Sequence, residues 1–365
     1  MVLLLLKPHQ PPNSARYFSN FNFCTILSPM AHTSSNTLTI SSEFNPTQHR
    51  YRILLLKFII LLTCFLIFFG ALVTSNDAGL SVPDWPNSYG YNMFLFPPSL
   101  WIGGIFYEHV HRLIASTLGA MTLIFTVWTL MCDPRRNIKI LSVFMLLAVT
   151  IQGIFGGLTV WYLLPDWIST THAVLGQTFF LLTIAMTYFH SQTFVGINNL
   201  PAAHLREKKT ALYLLGLVYV QLIVAAYMRH SGAGLAVPDF PTIGHSWLPA
   251  FNDALLNKLT EMRHAFAPQL AAVTMPQVIV HLAHRTIAFI LVGAAFYLWL
   301  SKGSERKVVS SVLTIMLVQF SLGIIALLSG RHPFLTSLHV ITGAVLLGTV
   351  AYLNLKLFTK GKDAL

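Results

Sequence analysis

Eight stretches of this chain are each long enough and apolar enough to cross a lipid bilayer, and that leaves few folds open. They cover roughly 53–74, 107–131, 138–161, 167–189, 210–229, 279–300, 308–328 and 335–357. A helix rises about 1.5 Å per residue, so about 20 apolar residues span a hydrocarbon core of roughly 30 Å. Only 10% of the 365 residues are charged, against about 25% in soluble domains. Such a chain cannot clothe a globular surface in polar groups. The expected fold is an all-α membrane protein with eight transmembrane helices.

The net charge of +11 could suggest a nucleic-acid binder, but its distribution argues against that. Arg50 and Arg52 precede the first span, and Arg135, Arg136 and Lys139 separate spans two and three. Arg206, Lys208 and Lys209 separate spans four and five. Lys302, Arg306 and Lys307 separate spans six and seven, and Lys356, Lys360 and Lys362 close the chain. The intervening loops are nearly free of Lys and Arg. This positive-inside pattern places both termini in the cytoplasm, or in the matrix of an organelle. The cysteines, Cys24, Cys64 and Cys132, fall outside the predicted outer loops, so no disulfide is available on the oxidising side. Residues 1–49 are rich in Ser, Thr, Asn and Pro. They are expected to form a disordered extension, with Met30 as an alternative start and a weak likeness to a transit peptide up to that point.

The chain repeats itself. GLSVPDWP from Gly79 returns as GLAVPDFP from Gly234, EHVHR ending at Arg112 as HLAHR ending at Arg285, and THAVLGQ around His172 as LHVITGA around His339. Each half carries four spans, an even number, so the halves share an orientation and form a parallel repeat. The expected division is residues 50–209 for an N-terminal four-helix half and 210–365 for a C-terminal one, as two pseudo-symmetric bundles.

Four of the fifteen histidines recur at matching places: His111 and His172 in the first half, His284 and His339 in the second. Each falls in the first turns of an even-numbered span, near the outer surface. Ionisable groups at membrane depth are costly and normally have a partner and a function. Imidazoles on facing helices are a common way to grip a haem iron from both sides; histidines bonded to helix-end carbonyls are the structural alternative. Zinc is a poorer candidate, since two imidazoles lack its remaining ligands. Arg112 and Arg285 follow the ligand candidates directly and suit a haem propionate, with Arg331 a weaker candidate and snorkelling the plain alternative. Gly153, Gly156, Gly157 and Gly323 would let a flat macrocycle approach, or simply pack helices. The halves differ at one telling position. Glu108 lies three residues before His111, whereas His281 holds that place before His284. A desolvated carboxylate beside a haem could stabilise positive charge, position water or move protons; bonding to Arg112 or water at a wet helix end is the alternative. His109 and His281 are extra imidazoles beside the ligands. Asp84 and Asp239 could cap the repeated turns, and Trp85, Trp101, Trp167 and Trp247 fit an outer aromatic belt.

Taken in order, five of these motifs, GLSVPDWP, EHVHR, THAVLGQ, HLAHR and LHVITGA, resemble the haem A synthase family over roughly residues 53–357. The resemblance implies an oxidoreductase that turns a methyl substituent of haem O into the formyl group of haem A, by successive hydroxylations with oxygen from water. It implies a resident haem b in the C-terminal half, on His284 and His339. The substrate haem would lie in the N-terminal half, on His111 and His172, with Glu108 as the functional carboxylate. Partners would be haem O and haem A, an electron acceptor, and the haem O synthase and haem–copper oxidase assembly; oligomerisation is left open. Some bacterial members carry a cysteine pair in the first outer loop, and this chain has none between 75 and 107. The PDWP loop points to a bacterial cell membrane, with the mitochondrial inner membrane as the alternative. Two rival functions fit the paired histidines: a di-haem b-type electron-transfer protein, and a haem transporter or chaperone.

Overall fold

The computed structural model describes residues 46–191, 204–301 and 303–359, and the extension expected at 1–49 lies almost wholly outside them. Nine α-helices are found among these residues: α1 Pro46–Ser75, α2 Gly104–Cys132, α3 Arg136–Trp161, α4 Asp166–His190, α5 Leu205–His230, α6 Asp253–His264, α7 Met275–Leu300, α8 Arg306–Leu328 and α9 Pro333–Thr359. All except α6 are long and apolar enough to cross a membrane. The extended segments among the described residues amount to two isolated bridges. The chain is an all-α, multi-pass membrane protein.

Each spanning helix contains the apolar run expected of it and reaches past it where polar residues close the ends. α7 begins with a capping box, in which Thr274 and Gln277 satisfy each other's backbone N–H groups, and has a proline in its first turn, where the missing N–H costs nothing. Inside the spans, hydroxyls return to carbonyls one turn back, as Thr63 does to Ile59 at 2.7 Å and Thr122 to Leu118 at 2.8 Å. Those hydroxyls then need no partner from the hydrocarbon.

Two apolar cores form. One lies among α1, α2, α3 and α4 and includes Leu56, Leu118, Phe125, Met145, Phe179 and Met186. The other lies among α5, α7, α8 and α9 and includes Leu214, Leu291, Leu298, Val312, Leu347 and Leu353. Ion pairs fasten one end. Asp133 takes Arg52 Nη1 at 2.8 Å and Arg135 Nη2 at 2.9 Å, with His190 Nε2 at 3.5 Å. Burial alone would raise the Asp133 carboxyl, but its bonds to His190 and Arg135 prevail and hold it well below the usual range. In the second half Lys356 pairs with Glu305 at 2.6 Å.

The opposite end carries the repeated loops. Asp84 accepts the amides of Tyr89 and Gly90 at 2.7 and 2.8 Å, and Asp239 those of His245 and Gly244 at 2.8 and 3.0 Å. Each carboxylate is thereby the hub of a tight turn. The loop 231–274 also contains α6, which the apolar-run reading did not foresee. It is a short amphipathic helix, capped by Asn252 accepting from the Leu255 amide at 3.1 Å. Its Leu255 and Leu259 pack on Ala233, Ala236, Val237 and Val278.

Candidate functional site

The four histidines stand near the loop end of α2, α4, α7 and α9. In the second half the imidazoles of His284 and His339 face each other, with ring centroids 6.5 Å apart and planes inclined by 72°. Two imidazoles bonded at about 2 Å to one metal ion have centroids a little over 6 Å apart, so this spacing suits a single iron between them. In the first half His111 and His172 lie within electrostatic range of one another. Among the described residues no group of three or more His, Cys, Asp or Glu is placed to hold a bare metal ion. The imidazoles come in twos, the number a porphyrin-bound iron takes from protein.

Both halves hold one imidazole by the same device. His172 Nδ1–H donates to the Gln152 carbonyl at 3.2 Å, and His339 Nδ1–H to the Gln319 carbonyl at 3.1 Å. A histidine tied this way is left with Nε2 bare and aimed, which is how second-shell bonds prepare a metal ligand. A Cβ on Gly156 would come 3.1 Å from His172 Cε1, and one on Gly323 would come 2.9 Å from His339 Cε1. The ring edge therefore needs glycine on the neighbouring helix. Sequence reading noted these two glycines but missed the glutamines. Gln-x-x-x-Gly lies 20 and 16 residues before the histidine in both halves, a signal that self-comparison could have found. It also missed Gly70, whose Cβ would lie 2.9 Å from His111 Cε1, and Gln221, whose amide donates to the His284 carbonyl at 2.9 Å. Of the other glycines, Gly157 makes room for Trp85, and nothing crowds Gly153.

The partners of His111 and His284 differ in kind. His111 lies against the Leu66 carbonyl one turn before Gly70, whereas the Nδ1 atom of His284 is buried without a hydrogen bond, as are Oε1 of Gln152, Gln221 and Gln319. The Gln152, Gln221 and Gln319 amides lie 3.4–3.5 Å from the Nε2 atoms of His172, His284 and His339. The glutamine amides thus abut the Nε2 atoms, and a group that binds there would displace them.

Arg112 and Arg285 both reach into the repeated loops. Arg112 donates to the carbonyls of Val82 at 2.8 Å, Asp84 at 2.7 Å and Asn87 at 2.9 Å. Arg285 donates to those of Val237 at 2.8 Å and Thr242 at 3.2 Å, and to that of Asp239. Their Nε–H groups make no protein hydrogen bond among the described residues. Both arginines fix the loop over the imidazoles and bring a permanent positive charge there. Burial alone would raise the Asp84 carboxyl, but the amides of Gly90 and Tyr89 and the Arg112 charge outweigh it and lower it. Asp239 is lowered in the same way by Thr242 and the amides of His245 and Gly244. Arg331 lies at φ +65° with its side chain against Gly234.

Glu108 is buried and both its oxygens are held: Oε1 by Arg112 at 2.6 Å and Oε2 by the Val82 amide at 2.8 Å. His281, at the matching position, instead donates Nδ1–H to the Ala233 carbonyl at 3.0 Å. The other spare imidazole, His109, is fully buried between Phe96 and Trp101 and bonds Ser88 at 3.3 Å, which turns it toward the loop.

Residues 103–351 match the COX15-CtaA family, described as "Cytochrome oxidase assembly protein". The chain belongs to this family. Relatives named "Heme A synthase" share its length. The one from Halalkalibacterium halodurans is 26% identical over 78% of this chain and 89% of its own. The one from Shewanella oneidensis is 24% identical over 85% and 97%, and that from Rickettsia bellii 24% over 80% and 95%. The COX15-CtaA match covers α2 through most of α9 and so includes all four histidines, Glu108 and both arginines.

Proposed function

We propose that this protein is a haem A synthase, oxidising the methyl substituent of haem O to a formyl group. Family membership and the names of its relatives support this reading. The observation that carries it beyond haem binding is the break in the repeat, where Glu108 stands in place of His281. The two halves build one device twice, and only the first adds a fixed carboxylate one turn before its imidazole. The proposal gives His111 and His172 the substrate haem, and His284 and His339 a resident haem b. When bound, haem b supplies a one-electron redox centre that passes electrons toward an acceptor. The chain's own residues orient the substrate through two imidazoles, and Gln152 fixes the tautomer of one. Glu108, locked by Arg112 and the Val82 amide, holds a negative charge beside the reacting porphyrin. There it would stabilise positive charge on the substrate and receive protons as successive hydroxylations take oxygen from water. Arg112 and Arg285 provide positive charge for haem propionates, with Nε–H the donor that the loops leave. The charge pattern supports a loop end outside and both termini inside, and the PDWP loop supports a bacterial cell membrane over the mitochondrial inner membrane. The product would pass to haem–copper oxidase assembly, with haem O supplied by its synthase.

The test is pigment extraction from the purified protein after expression with a haem O source. The wild type should yield haem B and formyl haem, and Glu108→Ala should keep haem B while formyl haem falls by about 10²–10⁴-fold. A wild type that yields haem B alone is a di-haem electron carrier, and Glu108→Ala with full haem A removes the carboxylate from the chemistry.

A further inference from the structure

A cavity of about 430 Å³ opens between α1, α4 and α9, lined among others by Ile60, Cys64, Phe180, Ile184, Val345 and Gly348. We propose that it holds the isoprenoid tail of the substrate haem, an inference that rests on the functional reading above. The repeat itself shows why the cavity exists. The loop motifs place α1 and α5 at an offset of 155 residues, and the Gln-Gly-His triads place α4 and α9 at an offset of 167. Under those offsets Cys64 answers to Tyr219, and Gly348 to Leu181. On the matching side of the seam, Tyr219 reaches across to bond Thr178 at 2.6 Å. Leu181, Leu215 and Tyr219 pack there against a core that includes Leu214, Val218 and Leu347. That side is solid. On the first-half side a thiol replaces the phenol and the cavity opens there, while Phe180 covers the glycine that stands in place of the leucine.

Its position suits a tail that hangs from the first site. Phe180 and Ile184 follow His172 by 8 and 12 residues on α4, about 12 and 18 Å along the axis. Cys64 and Ile60 precede Gly70, which touches His111, by 6 and 10 residues on α1, about 9 and 15 Å along it. Two walls thus descend from the two imidazoles of the first half, away from the loop end. A farnesyl chain attached to the porphyrin rim reaches the nearer part of the cavity, where its methyl-branched surface suits Ile, Phe and Val, while Thr187, Tyr188 and Tyr352 bring hydroxyl-bearing side chains to the far end. A b-type haem has no such chain, in keeping with a filled seam beside the second site. Burying an isoprenoid chain stabilises binding by about 25 cal/mol for each Å² withdrawn from water, so the groove would also select haem O over tail-less haem.

The test titrates the purified full-length protein, already holding its b haem, with haem O and with haem B. The wild type should prefer haem O by at least about tenfold. Cys64→Phe fills the cavity as Tyr219 fills its twin; it should remove that preference by weakening haem O alone, with the resident b spectrum unchanged. Gly348→Leu should act likewise; its Cβ would lie 2.8 Å from Phe180 Cε1, so Cys64→Phe decides if that variant does not fold. A haem O preference that survives Cys64→Phe overturns the groove assignment. So does the loss of co-purified phospholipid with haem O affinity intact, which would make the groove a lipid site. A wild type that does not distinguish haem O from haem B overturns the functional reading and the tail assignment with it.

Discussion

The two halves are roofed differently over similar imidazole pairs. Above the second pair, α6 lays Leu255 and Leu259 on Ala233, Ala236, Val237 and Val278, a small apolar core of its own. Above the first, the shorter loop turns Phe94, Leu95 and Ile102 outward, at 67%, 76% and 69% exposure. A loop braced by a packed helix suits a group that stays, and a shorter loop held by Arg112 and Asp84 but without such a helix suits a group that comes and goes. Low local packing is where openings in a native structure are cheapest. A second contrast lies farther along the spans, where Tyr219 and Leu181 pack on the second-half side and a cavity opens on the first. Under the proposed function the two copies of one imidazole device serve different ends, the second retention and the first turnover.

The comparison can be broken most sharply at the retained site. His284→Ala or His339→Ala should abolish the stable low-spin b haem altogether, read from the reduced-minus-oxidised spectrum of the purified protein. A normal spectrum in either variant would show that the second pair is not the grip. A smaller effect is expected at the roof. Leu259 is fully buried, and Leu259→Ala should destabilise the α6 packing by about 2–5 kcal/mol. The rate of haem b loss to an acceptor such as apomyoglobin should rise while occupancy at equilibrium with excess haem is retained. An unchanged rate would mean that the roof does not govern retention.

The smallest effect concerns the turns that both halves share. Asp84 and Asp239 are lowered in the folded protein, whereas an unfolded Asp titrates near about 3.9. A lowered carboxyl contributes stability that is fully present above the unfolded value and is lost as pH falls through the folded one. Asp84→Asn should therefore reduce stability at neutral pH and flatten its decline below about pH 4, measured by thermal melts across pH. Asp84 is the more weakly buried hub, so a larger change for Asp84→Asn than for Asp239→Asn would reverse the expected order. Equal acid limbs for Asp84→Asn and wild type would discount the hydrogen-bonded turn.

Much of this was legible in the residues because a bilayer enforces simple rules. Every spanning helix contains the apolar run expected of it, since backbone groups in hydrocarbon must bond within their own segment. The histidine pairs, Glu108 and the repeated loops were visible because ionisable groups at membrane depth and doubled motifs are conspicuous. α6 was not, since an amphipathic helix in a polar loop carries no signal of that kind. Nor were the jobs of the side chains around the imidazoles. Arg112 and Arg285 looked like free cations for a ligand, and their terminal N–H groups are bound to loop carbonyls. Gln152, Gln221 and Gln319 looked like ordinary span residues, and they abut the rings.

The sequence alone determined the class of fold, its eight crossings, the duplication and the residue types able to grip iron. These follow from composition and periodicity, which act through short-range physics along one helix. Only the tertiary structure decided which imidazoles face each other, which nitrogen is tied to a carbonyl, and that a cavity opens at Cys64 where Tyr219 packs on the matching side. Those outcomes depend on atoms from three helices far apart in the chain meeting within a few ångströms, and a linear pattern does not encode such distances.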